Sequence, residues 1–156
     1  MYYLFFFLFA CKETIEPSGI WEVEVTGIGS NDIPCTTSTA GFQETYEYAL
    51  YYDGTFTEIK IKDKDSTEFV SFATGEQRGY SLEYESPIYL VEETDGNFSW
   101  QIVGYVFNEP GGDGSENIPA GYDWYGTEVL TVVSSEHPNV PEDCTYEMDV
   151  QGVFIQ

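Results

Sequence analysis

Apolar and polar residues alternate one for one along most of the chain beyond residue 18. That period is the pleat of a β-strand, in which successive side chains point to opposite faces. Trp21, Val23 and Val25 share one phase, while Glu22, Glu24 and Thr26 share the other. In the run 45–52, Tyr46, Tyr48, Leu50 and Tyr52 oppose Thr45, Glu47, Ala49 and Tyr51. Asp53-Gly54 follows as a two-residue hairpin signal, and the partner run 55–62 sets Ile59 and Ile61 against Glu58, Lys60 and Lys62. Asp63-Lys64-Asp65-Ser66 turns the chain again. Further strands are expected over 68–74, 80–85, 88–92, 98–107, 127–134 and 145–155, with Asp95-Gly96-Asn97 as a second hairpin turn. No stretch carries helical periodicity over a useful length.

The fold class that follows is all-β, an antiparallel meander of about 8–9 strands. A meander of this length that stayed open would present two unpaired edges that invite aggregation, and closure into a barrel removes them. Gly19-Ile20-Trp21, opening the first strand, resembles the first motif of lipocalin-like barrels, where the Trp plugs the closed end. The resemblance implies a closed or nearly closed lipocalin-like barrel, with a two-sheet β-sandwich as the alternative. That family usually covers its Trp with an Arg near the end of the last strand, whereas the only Arg here is Arg78, in a mid-chain turn.

Residues 2–10 form an apolar and aromatic run, less than half the roughly 20 residues that a membrane-spanning helix requires. Its length suits the hydrophobic region of an export signal. Leu8-Phe9-Ala10-Cys11 closes the run, with a branched aliphatic three before the cysteine and a small residue directly before it. This resembles the lipobox of bacterial lipoproteins, whose cysteine is acylated and becomes the first residue. The resemblance implies a signal peptide over 1–10, a lipidated Cys11 and polar tether over 11–18, and a single β-barrel domain over 19–156. It also implies a lipid-anchored protein of the cell envelope, with membrane lipid as a partner through acylated Cys11. Lys12, where an Asp would favour inner-membrane retention, points to the outer membrane.

With Cys11 taken by lipid, Cys35 and Cys144 remain, and an oxidising compartment allows them one intrachain pairing. Cys35 follows the first strand and Cys144 precedes the last, so a disulfide between them would set the two chain ends side by side and antiparallel. A formal charge of −23, from 28 acidic and five basic residues, repels nucleic-acid phosphates and excludes that class of partner. The acids are spread along the strands and read as a solvated outer face.

Little in the chain points to catalysis. His137 is the only histidine; it precedes Pro138 in a loop, reads as exposed, and has no nucleophile-elbow Ser or Cys near it. No His or Cys cluster has metal-ligand spacing, and so many acids nominate no particular carboxylate pair. The longest irregular stretch, 108–126, holds the glycine-rich segment 111–117, a weak Ca²⁺ candidate without EF-hand spacing, and the aromatics Tyr122, Trp124 and Tyr125. Trp124 and Tyr125 are expected to fold back and cap the core, since aromatics are worth more when buried.

The chain is therefore expected to have no enzymatic activity, no cofactor and no metal, and to serve as a structural or protein-interaction component of the envelope. The alternative function is a binding module for a small apolar or sugar-like ligand. Its candidate lining is Tyr46, Tyr48, Phe98, Trp100, Tyr122, Trp124 and Tyr125. A cavity lined by such residues would favour this alternative, and a packed interior would favour the first reading.

Overall fold

The computed structural model describes residues 16–29, 35, 42–107 and 118–156. It is all-β, with strands β1 (Gly19–Gly29), β2 (Gln43–Tyr52), β3 (Thr57–Asp63), β4 (Val70–Arg78), β5 (Ser81–Glu85), β6 (Tyr89–Val91), β7 (Phe98–Phe107), β8 (Trp124–Ser135) and β9 (Thr145–Phe154). Each neighbouring pair is antiparallel. The meander closes because β1 pairs with β9 from Trp21↔Phe154 to Gly29↔Glu147, and β5 pairs with β7. The sandwich alternative is thereby removed.

β5 and β6 are two halves of one stave. Ser81–Glu85 pairs with the second half of β7, and Tyr89–Val91 with its first residues. Pro87, which has no N–H to donate to a ladder, sits at the break. Ser86 holds the break in place: its N–H donates to the Ile102 carbonyl, and its Oγ accepts the Ile102 N–H, each at 2.9 Å. Eight staves therefore make the barrel, in the order β1-β2-β3-β4-β5-β7-β8-β9.

Inward positions follow the alternation. Val23, Val25, Tyr48, Ile59, Val106 and Val150 are all buried, while Lys62 and Glu47 pair across the outer face of β2 and β3 at 2.6 Å. The largest departures from the sequence-based expectation lie at three boundaries, the first being β4, which starts at Val70 and runs on to Arg78 instead of spanning 68–74, so that Arg78 ends a strand. The β2–β3 connection spans 53–56, because the Asp53 carboxylate accepts the N–H groups of Thr55 and Phe56 at 2.9 Å and so stabilises a longer turn. β8 begins at Trp124 rather than 127, where Trp124 pairs with Gly152, and Asp123 accepts the Phe154 N–H at 2.9 Å.

One end of the barrel is closed by aromatics. Trp21 packs on Trp124 with centroids 6.0 Å apart and on Phe154 at 5.3 Å. Trp21 is therefore covered by two aromatic rings, Trp124 at the start of β8 and Phe154 at the end of β9. Gly152 makes this possible, since a Cβ there would come within 2.9 Å of the Trp124 ring. At the opposite end, Cys35 and Cys144 form a disulfide with Cα atoms 5.5 Å apart. It ties the β1–β2 connection to the start of β9, beside buried Val132 and Tyr146.

A buried carboxylate in the barrel interior

Glu128 is the residue that the alternation of β8 places where no acid is expected. Trp124, Gly126, Glu128 and Val132 share the inward phase, and Glu128 is 2% exposed. Its Oε1 accepts the hydroxyl of Tyr48 from β2 at 3.1 Å and that of Tyr84 from β5 at 2.5 Å. The two donors reach the carboxylate from other walls of the barrel. Tyr84 has room to do so because β7 presents Gly104 opposite it, where a Cβ would fall 2.1 Å from the tyrosine ring.

Burial pushes the Glu128 carboxyl above its ordinary range, against the opposing pull of the hydrogen bonds from Tyr84 and Tyr48. Burial, followed by the negative charge of Glu128, drives both phenols well above theirs, so both remain protonated donors. The ion pairs of Lys60, Lys62 and Arg78 lie on the outer surface with Glu58, Glu47 and Glu76. Among the described residues, no cation pairs with Glu128 and no hydrogen-bond donor reaches its Oε2.

That carboxylate faces a cavity of about 220 Å³, lined also by Val25, Phe42, Tyr46, Tyr48, Ile61, Phe72, Trp100, Ile102, Leu130 and Met148. An apolar cavity of about 150 Å³ is enough to take benzene. The space is therefore on the scale of one ring with a short polar group. Phe72 separates it from a shallow outer groove at the break between β5 and β6. Tyr89 bridges that break, its ring tilted against Trp100 at 4.6 Å and its hydroxyl donating to the Phe72 carbonyl at 3.0 Å.

The aromatic residues picked out in the sequence divide between places. Tyr46, Tyr48 and Trp100 come together around the cavity. Trp124 is buried at the closed end, against Trp21 and Tyr48. Phe98 packs on His137 with centroids 6.1 Å apart, Tyr122 reaches Glu24 on the wall at 3.5 Å, and Tyr125 takes the alternate phase of β8. His137 is not the exposed residue expected: its side chain is 9% exposed, held by Phe98 and by Glu93 at 3.5 Å.

Cys11 and the segment 111–117 lie outside the described residues. Among the described residues, no group of three or more His, Cys, Asp or Glu is arranged to hold a metal ion. Glu128 escaped sequence reasoning, yet Gly126-x-Glu128-x-Leu130-x-Val132 does carry the signal, an acid in phase with apolar neighbours. No protein-family model matches the chain, and comparisons with curated proteins and with solved structures find no match either.

Proposed function

We propose that the protein is a small-ligand-binding barrel of the cell envelope, built on a lipocalin-like plan and held to a membrane by acylated Cys11. The cavity carries this reading. A barrel that served only as a structural component would gain by filling its interior, since close packing is what large inward side chains achieve. Here a hollow persists among Tyr46, Tyr48, Trp100 and Met148, with a carboxylate at its wall. Apolar walls with one polar group are the composition of a small-molecule site.

The Leu8-Phe9-Ala10-Cys11 run supports the lipid anchor, and the Cys35–Cys144 disulfide supports an oxidising compartment. Ser18 donates its N–H to the Leu50 carbonyl at 2.7 Å, which fixes the start of β1 at the aromatic-closed end. A tether leaving from there would turn the disulfide-bearing end away from the bilayer.

Toluene tests the site itself. Addition of toluene should raise the melting temperature of the wild-type protein, and Leu130→Phe, which fills the cavity, should abolish the shift. A wild-type protein indifferent to toluene would return the case to a structural role. Mass spectrometry of the membrane fraction tests the anchor: an acylated N-terminal peptide beginning at Cys11 is expected, and an unprocessed Met1 chain in the cytoplasm would end the envelope reading.

A further inference from the structure

We propose that the cavity selects the ammonium group of a small amphipathic monoamine, with the cation seated on Glu128 and the apolar body held among Tyr46, Phe72 and Trp100. This deepens the ligand-binding reading and rests on it.

The carboxylate sets the requirement. Both tyrosine hydroxyls converge on Oε1, which leaves Oε2 without a partner among the described residues, although the side chain is 2% exposed. A buried carboxylate so placed lacks a counter-charge and, at its second oxygen, a donor, and each omission is costly. An ammonium supplies both. A neutral alcohol would supply the hydrogen bond alone, and a carboxylate ligand would face like charge across a low-dielectric space.

The surroundings agree with that choice. Tyr46, Tyr48 and Phe72 line the cavity together with Glu128, and an aromatic face attracts a cation held against it. Burial, and then the charges of Glu44, Asp63 and Glu128, raise Tyr46, so it stands in the cavity wall as a neutral phenol. The whole chain, at −23, concentrates cations at its surface and slows the approach of anions. A volume of about 220 Å³ limits the body to about one ring or a short alkyl chain.

The test is calorimetric titration of the oxidised, full barrel with benzylamine, benzyl alcohol and phenylacetate at pH 7, repeated on Glu128→Gln. Benzylamine is expected to bind at least tenfold more tightly than benzyl alcohol, and phenylacetate not at all. Glu128→Gln should erase the preference for the amine while retaining benzyl alcohol binding, which shows that the cavity is intact. Tyr48→Phe, which removes one donor to the carboxylate, should change amine affinity more than alcohol affinity. Equal affinities for amine and alcohol in the wild type would overturn the amine assignment and leave the cavity standing. Failure of all three probes, with toluene also silent, would overturn both.

Discussion

Replacing Glu128 with Gln should make the protein more stable at neutral pH, by an amount that grows with pH. The substitution keeps the side chain's shape and leaves an oxygen to accept the Tyr48 and Tyr84 hydroxyls, but removes the ionisation. The carboxyl has an ordinary value near 4.5 in the unfolded chain and is raised in the barrel by burial. A raised acid adds its full stability below the unfolded value, where both states are protonated. That stability is lost as pH climbs towards the folded value, because the unfolded chain releases its proton first. Within this window the wild type should lose about 1.4 kcal/mol per pH unit relative to the variant. At pH 4 the two should lie within about 1–3 kcal/mol of each other, since the buried neutral acid leaves one donor unpaired and the amide two. Urea unfolding followed by tryptophan fluorescence, at half-unit steps from pH 4 to pH 8, measures the difference. Every other acid is common to both proteins and cancels. A difference that is flat across this range, or a variant that is less stable at pH 8, would show that Glu128 ionises as in water and is not enclosed.

Other substitutions probe the geometry around it. Gly104→Ala should cost about 1–3 kcal/mol by overpacking, because the new Cβ falls on the Tyr84 ring and pushes its hydroxyl off Glu128; a neutral urea midpoint would count against that contact. Trp124→Ala should cost about 3–5 kcal/mol through loss of the packing that closes the barrel around Trp21, and a loss below 1 kcal/mol would place Trp124 outside the core. Cys35→Ser and Cys144→Ser should each lower stability by up to roughly 4–5 kcal/mol, the loop-closure value for a separation of 109 residues. The double variant should lose no more than either single one, whereas additive losses would argue against a shared bond.

Period-two alternation made the strands legible, since each buries one face, and the positions of Cys35 and Cys144 correctly placed β1 beside β9. Which acid turns inward was not legible. Glu and Asp among apolar residues ordinarily mark the wet side of a strand, and 28 of them hide one exception. With Trp124 and Tyr125 taken as loop, the phase of β8 lost the residue that anchors it, and Glu128 lost its inward neighbour. Residue type also carries no depth coordinate. Tyr48 and Trp124 are both buried aromatics in contact, yet Tyr48 borders the hollow and Trp124 the plug. Long-range closure, which only the assembled barrel supplies, separates the two.

The most direct test of a hollow interior uses methionine. Of the two in the sequence, Met148 lines the cavity and is 6% exposed, while Met1 precedes the barrel. With ¹³C-methyl methionine, titration with toluene should shift the Met148 resonance and give nuclear Overhauser contacts between its methyl and the toluene ring. A Met148 methyl that neither moves nor contacts the ring at saturating toluene would show that the barrel is filled by its own side chains.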